Sequence, residues 1–452
     1  MGSGTLSRWF EMKPFILEQK PNGAVREGEH VMLSLRVLRT RYPRVTLAVN
    51  DGYFPLQWLD FRGGYDQYVA VIDTTDRRGI FWYSFEGDGK PLGGEIQLTV
   101  YAKDYETPAW YAQGVIYHVF VDRFYRGDGI SPDCNDPDYF VHERIDEPPH
   151  YKPDAAGEIR NCDIYGGTLR GVQDKLPYLE SLGVTTIYLS PIFEAWSSHK
   201  YNTADYQKVD PHFGTKDDLI ALCSEARRRG MRVILDGAFS HTGSDSIYFN
   251  ANGRYPSVGA AQSEDSPYRE WYTFRDGGYE AWWGIRTLPA TRELTPSYLD
   301  FIVESENSVV AQWMQTGISG WRLDVADELP DEFILRFRRR VKTLDPDAIV
   351  VGEVWEDASN KIAYGVRRKY FTDNELDGVM NYPLKEGILG FLNGRVSGVA
   401  LAEQLTILLE HYPAPTHHCL MNLIGTHDTP RALTVLACPQ YLGAMRDFKA
   451  NY

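Results

Sequence analysis

From about residue 115 onward, short apolar runs alternate with longer stretches whose apolar residues recur at helical spacing. Strands of a parallel sheet are buried on both faces, so they read as continuous apolar runs, and each strand needs a crossover, usually a helix, to reach the next. The rhythm therefore predicts βα units, and it favours a (β/α)8 barrel over an open doubly wound sheet. Seven runs with an apolar centre are predicted strands: 114–124, 184–191, 231–239, 318–327, 348–355, 377–384 and 417–428.

The barrel is expected to be incomplete at its C-terminal end. After the seventh run the sequence ends at Tyr452, which leaves room for a seventh helix but not for an eighth strand and its helix. The third strand is followed by a long aromatic and Gly-rich segment at about 241–290, which we interpret as an excursion from the barrel. The interpretation is a fragment in which the barrel occupies residues 107–452.

The first 106 residues have a different rhythm. Short alternating runs at 30–38, 44–50, 68–73, 80–85 and 94–102 are separated by turn residues such as Asn-Asp-Gly and Gly-Asp-Gly. Alternation with period two indicates strands that bury one face. Residues 1–106 are therefore predicted to form an antiparallel β-sandwich ahead of the barrel.

Composition excludes several classes of partner. The formal net charge of −15 makes nucleic acid and anionic membrane surfaces poor partners, and the apolar runs are too short to span a membrane. Five scattered cysteines do not form a disulfide framework or a zinc motif, and no Gly-rich nucleotide loop follows a strand. The N-terminus lacks the layout of a signal peptide, so a cytoplasmic protein with a neutral substrate is expected.

Charged or polar residues stand at the ends of four predicted strands. They are Asp236 with His241, Arg322 with Asp324, Glu353, and His427 with Asp428. The C-terminal ends of barrel strands converge on one face, so these side chains are expected to share a pocket. Any one of these acids alone would be read as a strand-end cap or salt-bridge partner. Together they indicate a site, because burying several unpaired carboxylates is costly.

This set of residues suits glycoside hydrolysis, in which one carboxylate attacks the anomeric carbon and another protonates the leaving oxygen. Arg322 lies two residues before Asp324, so both side chains point to the same face, and its charge is expected to keep Asp324 ionised. Glu353 follows an apolar strand and precedes Trp355. Partial burial there would raise a carboxyl pKa toward that of a proton donor.

Four short blocks, which occur in order, resemble those of the α-amylase family, glycoside hydrolase family 13. They are DGAFSH at 236–241, GWRLDVADE at 320–328, GEVWEDA at 352–358 and IGTHDTPR at 424–431. The likeness covers most of 115–440, and the preceding sandwich resembles the neopullulanase, cyclomaltodextrinase and maltogenic amylase branch. The resemblance implies that Asp324 is the nucleophile, Glu353 the general acid/base and Asp428 the carboxylate that grips the distorted sugar.

The same resemblance implies the residues that bind substrate. Arg322, His241 and His427 would support the three acids. His199 and Tyr201 match family residues that bond and stack on the sugar, and Asp236 matches the structural acid of the first block. The expected substrate-binding set is completed by Glu328, from the second block, and Trp283, in the long excursion, for which core packing and sugar stacking are equally favoured.

The resemblance bears on cofactors and partners as well. Members of this branch often bind calcium through an Asn and an Asp, but here Arg126 replaces the Asn and Thr168 replaces the Asp. Calcium needs six to eight oxygen ligands, and the loss of two argues against the site. No metal-binding residues are therefore predicted, and calcium is the one cofactor that is left open. A homodimer formed through the N-terminal domain is implied by resemblance only.

The sequence thus predicts a retaining hydrolase that cleaves α-1,4 bonds in starch-derived oligosaccharides, cyclodextrins or pullulan. Cleavage of α-1,6 bonds as well is left open. A 4-α-glucanotransferase with the same chemistry and a non-catalytic glucan-binding fragment are the alternatives. The basic run RFRRR at 336–340 is interpreted as a solvated helix face.

Overall fold

The computed structural model describes residues 13–39, 41–42, 44–50, 52–112, 114–127, 139–153 and 159–437. Its chain divides into two compact units. The first consists of Met1–Tyr105 with Phe371–Asp373 and Leu405–Ala414, and the second of Glu106–Tyr370, Asn374–Gln404 and Pro415–Tyr452.

The first unit contains two β-sheets that enclose an apolar core. Its nine strands are β1 (Phe15–Lys20), β2 (Val25–Arg26), β3 (His30–Leu38), β4 (Val45–Val49), β5 (Gly52–Phe54), β6 (Gln57–Arg62), β7 (Tyr65–Asp73), β8 (Gly79–Gly87) and β9 (Lys90–Tyr101). The sheet orders are β1-β3-β7-β6 and β2-β9-β8-β4-β5, antiparallel except for the pair β2 and β9. Alternate residues such as Leu33, Leu35, Leu47 and Val49 fill the core. The predicted β-sandwich is confirmed.

The second unit is built on a parallel sheet of seven strands. Its strands, in chain order, are β10 (Ile116–Val119), β11 (Phe140–Val141), β12 (Asp163–Ile164), β13 (Thr186–Leu189), β14 (Phe193–Ala195), β15 (Thr203–Val209), β16 (Arg232–Gly237), β17 (Phe274–Arg275), β18 (Gly278–Tyr279), β19 (Gly320–Leu323), β20 (Ile349–Gly352), β21 (Ile362–Ala363), β22 (Val366–Arg367), β23 (Gly378–Asn381) and β24 (Met421–Asn422). The large sheet has the order β10-β13-β16-β19-β20-β23-β24. Each of its strands comes from one of the seven predicted runs, so the predicted barrel sheet is confirmed over the described residues.

Helices follow most of the barrel strands. They are α1 (Leu169–Asp174), α2 (Leu176–Ser181), α3 (Lys216–Arg228), α4 (Pro296–Leu299), α5 (Val309–Met314), α6 (Asp331–Leu344), α7 (Tyr382–Leu392), α8 (Gly398–His411), α9 (Ala414–His417) and α10 (Ala432–Ala437). Helix α3 begins with a capping box, in which Thr215 and Asp218 satisfy each other's backbone N–H groups. Within the described ranges, no helix combines the length and the apolar character that crossing a membrane requires.

The seventh predicted strand is much shorter than expected. The run 417–428 yields only Met421–Asn422 as strand, and His417 instead ends helix α9. The sixth run is also cut short, because the Asn381 side chain accepts a hydrogen bond from the Leu384 N–H and starts helix α7 there. In both places capping and turn chemistry override a pattern of apolar residues.

Helix α6 corrects the interpretation of its basic run. Phe333, Phe337 and Val341 face the core, and Arg338 lies on the same side and is buried rather than solvated. Its guanidinium donates to Asp377 Oδ1 at 2.7 Å, while Asp377 Oδ2 accepts from the Val350 N–H at 2.8 Å. A buried charge is tolerated here because it is paired and hydrogen-bonded.

Replacing Asp377 with Ala is expected to lower the free energy of unfolding by about 3–5 kcal/mol, because it leaves the Arg338 charge buried without its carboxylate. Chemical denaturation followed by circular dichroism measures the change. The control is Glu332→Ala, which removes a surface ion pair with Arg336 and should cost less than about 1 kcal/mol. Equal effects of the two substitutions would contradict the account.

Candidate active site

The centre of the site is one guanidinium that contacts three carboxylates. Arg322 lies on β19, beside Asp236 of β16 on one side and Val351 of β20 on the other. Its fully buried Nη1 donates to Asp236 Oδ1 at 2.8 Å and to Asp324 Oδ1 at 2.7 Å. Its Nη2 lies 2.8 Å from Glu353 Oε2. Three neighbouring strands of the barrel thus deliver four charged groups to a single point.

The backbone just past the strand ends fixes the two carboxylates next to Arg322. The Asp324 N–H donates to the Gly237 carbonyl and the Glu353 N–H to the Leu323 carbonyl, both at 3.0 Å. Val325 follows with φ of 41°, a left-handed conformation that costs a β-branched residue about 1–3 kcal/mol. The turn directs the Val325 N–H to Glu353 Oε2 at 3.0 Å, so the strain helps to hold that carboxylate.

A second layer of aromatic side chains covers Asp236. The Tyr201 hydroxyl donates to Asp236 Oδ2 at 2.8 Å and lies 2.8 Å from His427 Nε2. The rings of Tyr201 and His427 stack with an interplanar angle of 12°. Tyr188 donates to the same oxygen of Asp236. Asp236 therefore has both oxygens occupied by donors, which fits a supporting role rather than a reacting one.

Asp428 occupies a different environment from the other acids. It lies in the loop after β24, and its Oδ2 is 3.2 Å from His427 Nε2. Its side chain is 41% exposed, whereas those of Asp324 and Glu353 are buried. His427 therefore connects Asp428 to Tyr201 and to the buried cluster while leaving the Asp428 carboxylate partly open to solvent.

His199 and His241 flank Tyr201. The Nδ1 of His199 accepts from the Tyr201 N–H at 3.1 Å, and the Nε2 of His241 lies 3.2 Å from the Tyr201 carbonyl. Loss of water lowers the pKa of His199 to about 3 and the pKa of His241 to about 4. Both rings are therefore neutral near pH 7: the one N–H of His241 donates to the Tyr201 carbonyl, and that of His199 is on Nε2.

The electrostatics of Asp324 differ from the sequence-based expectation. Burial raises the pKa of Asp324 well above its usual value, Arg322 opposes that rise, and the charges of Glu353 and Asp236 add to it. Arg322 does favour the ionised form, as predicted, but one cation cannot offset both desolvation and two further carboxylates. The pKa of Asp324 is therefore higher than that of an isolated carboxylate, and Arg322 is the group that favours its ionised form.

Glu328 and Trp283 lie apart from this centre. The Trp283 indole N–H donates to Glu328 Oε1 at 2.9 Å, and the Tyr364 hydroxyl donates to the same oxygen at 2.5 Å. Trp283 is 62% exposed, so core packing is excluded for it. Its ring stacks on Trp282 at 4.8 Å, and Trp282 lies 5.3 Å from His241. Aromatic rings thus connect this exposed group to the site.

Several residues of the site were not found by sequence reasoning. Tyr188 is on β13, and Tyr382, whose hydroxyl lies 3.3 Å from Glu353 Oε1, follows β23. The ring of Trp355 stacks on Tyr382 at 4.1 Å. The position of an aromatic residue near the end of a barrel strand is the signal that would have found Tyr188 and Tyr382.

The residues at the expected calcium position do not fit a cation site. The Arg126 guanidinium donates to the carbonyl oxygens of Tyr165, at 2.5 Å, of Glu143, at 2.9 Å, and of His142. Thr168 is the N-cap of α1 and accepts from the Gly171 N–H. The Arg126 guanidinium therefore already occupies carbonyl oxygens of the kind that would bind a calcium ion.

Comparison with known proteins agrees with this geometry. Residues 118–292 and 299–448 match the family model described as the alpha amylase catalytic domain. The amylopullulanase of Thermoanaerobacterium saccharolyticum is 38% identical over 92% of this chain and 37% of its own length. Neopullulanase 2 of Thermoactinomyces vulgaris is 36% identical over 73% of this chain and 52% of its own length.

The solved structure of the cyclic alpha-maltosyl-(1→6)-maltose hydrolase of Arthrobacter globiformis is also similar. It matches with a TM-score of 0.59 and 30% identity over 74% of this chain and 69% of that chain. The site found here lies at the strand ends of a barrel and joins three carboxylates to one arginine. The chain belongs to the α-amylase family. It spans about a third to a half of the length of the two curated relatives named above.

A further buried acid follows the long excursion, in the segment LPATRE. Glu293 is 9% exposed, and its Oε1 lies 3.2 Å from Thr291 Oγ1. Burial raises the pKa of Glu293 to about 8. The folded protein therefore keeps a proton that the unfolded chain releases at the ordinary glutamate pKa.

Glu293 is expected to make unfolding depend on pH. Between the unfolded pKa of about 4.3 and the folded pKa of about 8, this group lowers the free energy of unfolding as pH rises, by about 1.4 kcal/mol per unit. Glu293→Gln removes that slope, so its stability gain over the parent should grow up to about pH 8 and then level off. Denaturation from pH 5 to 9 measures it, with the exposed Glu270→Gln as control. A pH-independent difference between Glu293→Gln and the parent would contradict this.

Proposed function

We propose that this protein is a retaining α-glucan hydrolase in which Asp324 is the nucleophile and Glu353 the general acid and base. The observation that carries the proposal is the contact of one buried guanidinium with both carboxylates, at 2.7 and 2.8 Å. Arg322 fixes the two groups beside each other, while a different carboxylate, Asp428, is partly exposed to solvent. Double displacement at a sugar carbon requires such a pair of closely spaced carboxyl groups.

The chemistry requires the pair to hold one proton. The ionised oxygen of Asp324 forms a bond to the anomeric carbon as the bond to the leaving oxygen breaks, and the Glu353 proton passes to that oxygen. Glu353, now ionised, takes a proton from water, the water oxygen bonds to the same carbon, and the ester to Asp324 is cleaved. Burial raises the pKa of Asp324 and Arg322 opposes that rise, so Arg322 is the group that favours the ionised nucleophile.

The neighbouring side chains would bind and orient the sugar at the point of cleavage. Asp428 accepts hydrogen bonds from sugar hydroxyls, and the neutral His199 ring supplies an N–H donor at Nε2 that does not compete with the carboxylates for charge. The ring of Tyr201, held by Asp236 and His427, offers an apolar face to the C–H groups of the sugar. Each of these groups is fixed before substrate arrives, which reduces the cost of ordering.

We further propose starch-derived oligosaccharides, cyclodextrins and pullulan as substrates, with cleavage of α-1,4 and also α-1,6 bonds. Support comes from the relatives whose names refer to pullulan, and from the hydrolase named for cyclic alpha-maltosyl-(1→6)-maltose. Transfer to a sugar hydroxyl instead of water uses the same first step, so it is the alternative outcome of the test.

Asp324→Asn is expected to lower kcat by at least about 10³-fold without abolishing oligosaccharide binding, because the amide cannot form the ester but preserves the shape of the site. The measurement follows maltoheptaose and pullulan separately by proton NMR of the anomeric region. Early products of α configuration are expected from the parent, and longer oligosaccharides would indicate transfer. The matched control is Asp327→Asn, whose carboxylate faces Tyr370 and Lys361 rather than Arg322.

Full activity of Asp324→Asn would remove the assignment of the nucleophile. Early β-anomer products would exclude the retaining mechanism. Absence of products from a folded parent that binds maltoheptaose would instead favour a glucan-binding protein.

Trp283 is expected to act in binding longer substrates rather than in the chemical step. Trp283→Ala should raise KM for maltoheptaose by about 5-fold, the equivalent of about 1 kcal/mol of stacking, and leave kcat nearly unchanged. Trp58→Ala is the control, since Trp58 is also exposed and its indole N–H also donates to a carboxylate, that of Asp66 at 3.1 Å. Initial rates across substrate concentrations measure both constants. A fall in kcat with KM unchanged would contradict this role.

A further inference from the structure

A cluster of metal-binding side chains lies outside the active site, in the connection between β10 and α1. One ligand atom from each of His142, His150 and Asp163 lies within 4.8 Å of the other two. His142 Nε2 and His150 Nδ1 are 2.7 and 2.8 Å from the same oxygen, Asp163 Oδ1. In the described ranges, no other three His, Cys, Asp or Glu side chains bring their ligand atoms together in this way.

Both ring nitrogens of His142 face carboxylate oxygens. Its Nδ1 lies 3.0 Å from Glu147 Oε2, and its Nε2 lies 2.7 Å from Asp163 Oδ1. A neutral imidazole has only one N–H, so one of these contacts brings two acceptors together unless the ring carries an additional proton. A metal ion at Nε2 removes the conflict, because Nδ1–H then donates to Glu147 while Nε2 and Asp163 both bind the cation.

We propose that His142, His150 and Asp163 bind a zinc ion, and that Glu147 orients the His142 ring through its hydrogen bond to Nδ1. Two imidazoles and a carboxylate suit zinc, whereas calcium prefers oxygen ligands alone. A carboxylate that accepts from the second nitrogen of a ligating histidine is the usual support of such sites. The fourth position of the tetrahedron is taken by water.

The two contacts to Asp163 need only a small adjustment to accept the ion. Zinc bonds of about 2.0–2.2 Å place neighbouring ligand atoms about 3.3 Å apart in a tetrahedron, so the two short contacts must open by roughly 0.5 Å. His150 can move, because its side chain is 59% exposed, and its exposure also gives the ion a path from solvent. His142 and Asp163 are buried and stay in place, with the His142 ring stacked on Tyr165 at 4.2 Å.

The consequence of zinc binding is a cross-link within this connection. The three ligands come from two segments, the first containing β11 and residues up to His150, and the second beginning at β12. An ion bound by both stabilises the folded arrangement in proportion to its affinity. The role is structural and separate from the hydrolytic site, so it does not depend on the proposed function.

The test uses the full chain without a polyhistidine tag, treated with chelator and then dialysed. Isothermal titration with Zn²⁺ is expected to show one site with a dissociation constant below about 10 μM, and Zn²⁺ should raise the melting temperature. Titration with Co²⁺ should produce the visible absorption bands of a tetrahedral ion. His150→Ala should weaken zinc binding at least 10-fold, and Glu147→Gln should weaken it about 10-fold.

The matched control is His30→Ala. His30 is 67% exposed and its Nδ1 lies 3.7 Å from Asp73, so it is a surface histidine beside a single carboxylate. This variant should bind zinc like the parent. Failure of the parent to bind one equivalent of Zn²⁺, or equal binding by the parent and His150→Ala, would overturn the proposal. Since His150 is exposed, its replacement is not expected to unfold the chain.

Discussion

The arrangement of the site depends on one buried cation among three anions. Arg322 has no exposed surface, and its two terminal nitrogens contact Asp236, Asp324 and Glu353. Removing these charges from water costs several kcal/mol per ion, and a single positive charge recovers only part of that cost. Burial and the two neighbouring carboxylates raise the pKa of Asp324, and the Arg322 charge opposes that rise. The group that positions the carboxylates therefore also favours the ionised form of Asp324.

The barrel provides this arrangement because adjacent parallel strands are in register. Asp236 pairs with Arg322, and Leu323 pairs with Gly352, so the residues that follow the last two lie side by side. The left-handed Val325 then turns the chain away immediately after Asp324. Strain at such a position is retained only where the surrounding structure fixes it, and here it adds a backbone donor to Glu353.

Sequence reasoning found the parts of the molecule that follow from pattern. The seven barrel strands were predicted because buried parallel strands have continuous apolar runs, and Asp236, Arg322, Asp324 and Glu353 were expected to meet because the strand ends converge. The β-strand at 57–62 was missed because all of its residues are exposed, which leaves no alternation to detect.

Other features depend on tertiary contacts that no local pattern encodes. The burial of Arg338 follows from Asp377, about 40 residues further along the chain, and the contact between Trp283 and Glu328 joins two distant loops. The histidine cluster was not predicted either, because the spacing of 142, 150 and 163 matches no short metal-binding motif. In each case the partner is supplied by the fold rather than by neighbouring sequence.

The central claim is that Asp324, the carboxylate held by Arg322, attacks the sugar. Trapping the covalent intermediate tests this claim most directly. The parent protein would be incubated with a slow fluorinated maltosyl fluoride, digested with a protease and analysed by tandem mass spectrometry. The account predicts a glycosyl adduct on the Asp324 side chain and on no other residue. An adduct on Glu353 or Asp428, or hydrolysis of the reagent without any adduct, would contradict it.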